Sequence, residues 1–192
     1  MTAIKLKEIA LRHFAENGYE GASLADIANE IGIKKPSIYA HYASKMELFA
    51  AITEDEKVCY CSLWEEALIS SESLPTDQRL SALFSIVSGY FAGDRVKMAF
   101  WVRLWMFPPQ EEAESILQSL KKMNAPYINQ LAAIISQGIE QKIFRPCPPL
   151  EVAHAFFCLL DGYLMRAICY QGFDYKQSLP HIWSTFLLGI KL

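Results

Sequence analysis

The sequence predicts an all-α protein, and three observations carry that prediction. Glycine and proline number only nine each among 192 residues. Apolar residues recur at spacings of three and four through most of the chain, whereas no long run alternates apolar with polar as a strand does. The breaks between apolar runs fall at residues that cap or end helices. An apolar fraction of 52% with 20% charge describes a chain that buries a core.

Taken in order, MTAIKLKEIALRHF opens as an amphipathic helix and lacks the basic-then-apolar layout of a secretory signal. Ser23 followed by Asp26 reads as a capping box, starting a second helix at Leu24. Leu24, Ile27, Ala28 and Ile31 fall on one face of it, and Ala28 is small enough for another helix to cross closely. Gly32 supplies the left-handed residue that ends this helix. Pro36 suits the first turn of a third helix, where its missing N–H costs nothing. Ile33, Ile38 and Tyr42 anchor that helix from below, leaving Lys35, Ser37, Tyr39, Ala40 and His41 to face outward. Ser44 and Glu47 form a second capping box that opens a long helix at Lys45, where free amides, the dipole and a lysine suit a phosphate. Two short helices meeting at a glycine turn make a helix-turn-helix, built to lay one helix in the major groove of DNA.

The long fourth helix runs past Leu68 to a serine-rich loop ending at Pro75. Thr76 or Asp77 caps a helix through Phe91, with Gly93 and Asp94 as the next joint. VKMAFWVRLWMF forms another helix that stops at Pro108 and Pro109. A segment from Gln110 to about Phe144 follows, which Pro126 is expected to kink or split. Three prolines then precede a helix over Leu150–Gln171, and the last helix covers Lys176–Ile190, with Pro180 as an alternative start. About nine helices result. They divide into an N-terminal three-helix DNA-binding domain over residues 1–48 and a helical regulatory and dimerisation domain over residues 49–192.

The stretch from Ile4 to Phe49 resembles the DNA-binding domain of the TetR family of bacterial transcriptional regulators. FAENGYEGASL, DIANEIGI, SIYAHY and SKMELF carry the resemblance. It implies that Tyr39, His41 and Lys45 touch phosphates and that Lys35, Pro36, Ser37 and Ala40 lie nearest base edges. Position 34 is lysine where that family places a small hydroxyl. The resemblance also implies that the last two helices pair with their symmetry mates in a homodimer.

Net charge is −3, but its distribution matters more than its sum. Residues 1–50 hold six basic and six acidic side chains, and Lys34, Lys35 and Lys45 gather beside His41 on the DNA edge. So modest a patch needs two copies for useful affinity on a double-stranded operator, because counterion release scales with the phosphates neutralised. Five cysteines without a signal peptide fit a reducing cytoplasm. The most apolar window, Val152–Tyr170, contains His154, Asp161 and Arg166, which fits a buried helix rather than a membrane span. Its two apolar faces, one through Phe157 and Leu160 and one through Phe156 and Tyr163, suggest that a partner subunit covers the second.

Aromatic residues crowd positions 60–107, as in a pocket for a small hydrophobic effector, and Trp64, Trp101, Trp105 and Tyr127 are the candidate ligand residues. Glu151, His154, Cys158 and Asp161 share a helical stripe that fits a metal site or a polar seam in the dimer interface, though such stripes are usually just hydrogen-bonded polar groups. Neither cofactor nor enzymatic activity is expected, since no phosphate loop, nucleophile elbow or HExxH is present. Three functions stay open at this point. One is a repressor that leaves a palindromic operator when its effector binds. A second is a DNA-binding protein of the same fold with a structural or division role and no inducer. The third is a small all-α enzyme or ligand-sequestering protein in which the N-terminal helices are incidental.

Overall fold

A computed structural model describes residues 3–170 and 174–192, so the expected helix end at Gln171 lies outside the described residues. The described residues form nine α-helices, one short 3₁₀ turn and no strand. The helices are α1 (Ala3–Gly21), α2 (Leu24–Ile31), α3 (Lys35–Tyr39), α4 (Lys45–Ser70), α5 (Thr76–Ala92), α6 (Arg95–Met106), α7 (Ala113–Glu140), α8 (Pro149–Cys169) and α9 (Tyr175–Ile190). They fall into two compact units, one of residues 1–60 with 94–119 and one of 61–93 with 120–192. The helix-turn-helix thus belongs to a larger packed body that includes α6. The functional division at residue 48 remains a proposal.

The first unit is built on the apolar face of α1. Leu6, Ala10 and Phe14 are buried there, joined by Ile27 and Ala28 of α2, Ile38 of α3 and Leu48, Phe49 and Ile52 of α4. Phe49 meets Phe14 edge-on at 5.0 Å and Phe100 of α6 at 5.7 Å. Edge-to-face contacts of this kind add to the simple burial of apolar area.

The second unit has an aromatic centre. Phe84 of α5 stacks on Trp183 of α9 at 4.6 Å and meets Phe156 of α8 edge-on at 5.4 Å. The Trp183 indole N–H donates to Ser81 Oγ at 2.8 Å, so its polar tip is satisfied on burial. The chain end is tied down by backbone bonds from Arg145 N to Ile190 O and from Leu192 N to Ile143 O.

Three sequence expectations change. Pro126 does not split its segment: α7 continues through it from Ala113 to Glu140. Leu120, Tyr127, Leu131, Ile134 and Ile135 are buried along that helix, and their packing outweighs the one hydrogen bond proline removes. Thr76 does not cap α5; its hydroxyl donates to Gln141 Oε1 at 2.7 Å, and Pro75 holds the cap position. Most of both apolar faces of α8 is buried within the chain, including Val152, Phe156, Phe157, Leu160 and Tyr163, while Leu159 and Ile168 are half-buried and Tyr170 is exposed. The exposed stripe of α8 is instead Glu151, His154, Cys158, Asp161 and Gly162.

Two tests follow from this packing. A β-carbon at Gly138 would stand 2.2 Å from the buried Phe144 ring, so Gly138→Ala is expected to lower stability by ~1–3 kcal/mol in urea unfolding. The Lys191 ammonium, 2.7 Å from Asp77, holds that carboxyl below its ordinary value of 3.8. A depressed carboxylate stabilises the fold above its unfolded pKa, and the gain disappears as pH falls through the folded one. Asp77→Asn is therefore expected to cost ~0.2–1 kcal/mol at neutral pH and nothing in strong acid, by urea midpoints across pH.

Candidate nucleic-acid interface

The helix-turn-helix forms by local chemistry. Ser23 adopts extended backbone and its hydroxyl accepts from Ala25 N at 3.2 Å, starting α2. Gly32 ends α2 with φ 80°, ψ 31°, a left-handed conformation that glycine tolerates best. Its N–H and that of Ile33 donate back to Asn29 and Ala28 carbonyls, which closes the turn. At the start of α4, Ser44 Oγ accepts from Glu47 N at 3.0 Å while Glu47 Oε2 accepts from Ala43 N at 2.5 Å. The reciprocal arm thus reaches one residue further back than a standard capping box.

Ile38 is wholly buried and is the anchor of α3, with Ile33 and Tyr42 half-buried beside it. That anchoring turns Lys34, Lys35, Pro36, Ser37, Tyr39, Ala40 and His41 outward, and all seven are exposed. Lys34 holds the cap position with no side-chain hydrogen bond to the helix, so its ammonium is not committed to capping. The Lys35 ammonium lies 5.8 Å from the centre of the Tyr39 ring, near the outer limit of a cation–π contact.

Lys45 is placed differently. Its side chain is half-buried, and its ammonium donates to the carbonyls of Tyr19, Ala22 and Glu20 at 2.8, 3.2 and 3.4 Å. It also stands 4.3 Å from the centre of the Tyr19 ring. The reason lies in α1, where Gly18 leaves helical geometry at φ 72°, ψ 173°. The break deprives nearby carbonyls of their helical donors. Arg103 of α6 takes the other part of this load, with Nε donating to Ala15 O at 2.7 Å and a terminal N–H to Glu16 O at 2.8 Å. Sequence reasoning placed Lys45 on the DNA edge and missed Arg103 altogether. The clue available was Gly18 inside a helical run, without any indication of its partners.

Of the candidate ligand residues, Trp64 and Tyr127 lie in the second unit, stacked at 5.0 Å with an interplanar angle of 13°. Both are buried, and the Tyr127 hydroxyl donates to Cys61 O at 3.4 Å; burial pushes its pKa up. Trp101 and Trp105 belong to the first unit. Trp101 is buried against Tyr60 at 5.2 Å, and Trp105 is half-buried. Among the described residues, no group of three histidine, cysteine or acidic side chains is disposed to hold a metal.

Fold and site together define a helix-turn-helix protein that presents a short cationic helix. Residues 8–52 match the family model described as bacterial regulatory proteins, tetR family. The HTH-type transcriptional repressor ComR of Escherichia coli is 23% identical over 159 residues, covering 82% of this chain and 75% of that protein. The ketosteroid transcriptional regulator KstR2 of Mycobacterium tuberculosis superposes with a TM-score of 0.80 at 20% identity, over 100% of this chain and 97% of the other. The transcriptional regulator FadR of Bacillus subtilis, solved in complex with stearoyl-CoA, gives 0.75 at 18% identity, over 98% and 100%. Residues 8–52 thus match the tetR-family regulators, and the all-α fold is shared with the solved structures of such regulators.

The structure separates two kinds of cation. Lys45→Ala is expected to remove the carbonyl cap and lower stability by ~1 kcal/mol, whereas Lys35→Ala on the exposed edge leaves the urea midpoint unchanged.

Proposed function

We propose that the protein represses transcription by binding a palindromic operator as a homodimer and leaves it when a small hydrophobic molecule occupies the C-terminal domain. One observation carries the DNA-binding part: α3 turns Lys34, Lys35, Ser37, Tyr39 and His41 outward from a single buried anchor, Ile38. A helix so presented can enter the major groove, with Ser37 and Ala40 near base edges. Lys34, Tyr39 and His41 serve phosphates, and so does Lys35, which the resemblance placed near base edges but whose ammonium lies beside the Tyr39 ring. Lys45 contributes by holding the end of α1 and the start of α4 together, so that the α4 amides can meet a phosphate.

Two copies are required, because a palindrome read in successive major grooves needs recognition helices about 34–36 Å apart. The exposed stripe of α8 supports a second copy there, with Gly162 allowing close approach and Cys158 and Asp161 beside it. Exposed Leu188 of α9 supplies an apolar contact in the same C-terminal pair of helices. Effector release is supported by FadR of Bacillus subtilis, solved with stearoyl-CoA. It is supported too by the stacked Trp64 and Tyr127, which a hydrophobic ligand could join. Helix α4 is the lever of this reading: it begins at Lys45 and continues to Ser70, carrying residues of both units. A ligand that favours one tilt of it shifts the population between DNA-competent and incompetent states. Such a protein acts in the cytoplasm, on chromosomal DNA.

Fluorescence anisotropy against DNA from its own upstream region tests the reading. Binding at two protomers per site, falling steeply with salt, is expected. Lys35→Ala should lower the slope of log K against log salt by about one per protomer, while Ser37→Ala should change the ranking of operator variants. Binding that is insensitive to salt, or equal for all sequences in both variants, would refute it.

A further inference from the structure

The exposed stripe of α8 carries Glu151, His154, Ala155, Cys158, Asp161 and Gly162. Its polar groups are ordered about Cys158, with His154 one turn before it and Asp161 about one turn after. At about 100° per residue, His154 and Asp161 share one flank of the stripe, while Cys158 and Gly162 hold its centre.

Such an order is self-complementary. When two copies of a helix pack antiparallel about a twofold axis, residues equally far before and after the crossing meet, and each flank meets the same flank of its mate. A crossing at Cys158 sets His154 against the partner's Asp161 and repeats that pair by symmetry. A parallel pairing would instead set like against like. Among the described residues no opposite charge of the chain stands beside Asp161, and desolvation pushes its carboxyl up to about 6. A donor from a second copy relieves that cost. Arg166 is held within the chain over the Tyr170 ring at 4.4 Å, so the match rests on His154 and Asp161.

The centre of the stripe suits close approach. Gly162 has no left-handed backbone, and a β-carbon there would meet nothing within 4 Å. The packing of the chain itself therefore does not call for glycine, which weakens a helix and serves where another backbone comes near. Cys158 and Ala155, one and two turns earlier, are small as well.

We propose that α8 recognises α8 of a second copy, antiparallel and crossing at Cys158, which makes Cys158 the site at which an oxidant joins two copies by a disulfide. The proposal rests on the homodimer reading above and gives it a register. Packed helices stand about 8–10 Å apart, so facing Cα atoms at the crossing lie roughly 3.5–5.5 Å apart. The upper part of that range meets the ~4.4–6.8 Å of a disulfide. With diamide as oxidant, the two thiols lose two protons and two electrons to its N=N bond, which becomes a hydrazine, and one S–S bond forms.

The full chain is sedimented, then treated with diamide, and the linked peptides are mapped. A dimer is expected. Cys158 should link to the partner's Cys158 about a hundredfold faster than Cys59 links to another Cys59, because a held pair sees an effective concentration near millimolar against a protein at ~10 µM. Cys169 is exposed on the same helix, but antiparallel packing sets it about 33 Å from the partner's Cys169 at ~1.5 Å per residue, so it stays unlinked to itself. His154→Asp should weaken the dimer about tenfold by placing like charges together, and combining it with Asp161→His should restore it. Both positions are exposed, so the fold is retained. A monomer in sedimentation would overturn the homodimer reading and this register with it. A dimer in which Cys158 links no faster than Cys59, Cys169 links to itself as fast as Cys158, or the exchange fails to restore affinity would overturn the register alone.

Discussion

The break in α1 at Gly18 is the constraint on which the DNA-binding unit depends. It leaves a set of backbone carbonyls without helical donors, and charged groups from two distant segments supply them: Arg103 from α6 and Lys45 from the start of α4. Hydrogen bonds from a charged donor are stronger than neutral ones, and breaking one leaves a polar group unsatisfied. The clamp therefore sets where α4 begins, and α4 in turn supplies Leu48, Phe49 and Ile52 to the core beneath α2 and α3. The glycine is required for its φ, and a β-carbon there would also press on the Arg103 guanidinium at 3.2 Å.

The same interaction shapes the electrostatics. Much of the positive charge of this unit is spent internally, with Arg12 on Glu30, Lys7 on Asp55, Lys57 on Glu54 and Lys45 and Arg103 on carbonyls. Lys34 and Lys35 remain exposed beside Tyr39 and His41 on the outer edge of α3.

Local features were legible in the sequence because their causes are local. Ser23, Gly32, Pro36 and the Ser44–Glu47 pair each act within four residues, and each stands in the structure at the helix end it marks. Pro126 and Thr76 misled for the opposite reason. Their local signals were outvoted by burial along α7 and by a hydrogen bond to Gln141, 65 residues away. The apolar faces of α8 were read correctly as faces. What covers them could not be read, since helical periodicity reports burial without naming the neighbour. The aromatic cluster likewise announced buried rings without showing that Trp64 and Tyr127 would stack while Trp101 took Tyr60.

The linear chain alone determined the helical class, the turn at Gly32 and the outward side chains of α3, because capping, periodicity and left-handed backbone are decided over one or two turns. Only the folded structure decided what Lys45 and Arg103 are for and which stripe of α8 remains exposed. Those outcomes depend on segments tens of residues apart competing for the same carbonyls, carboxylates and apolar surface.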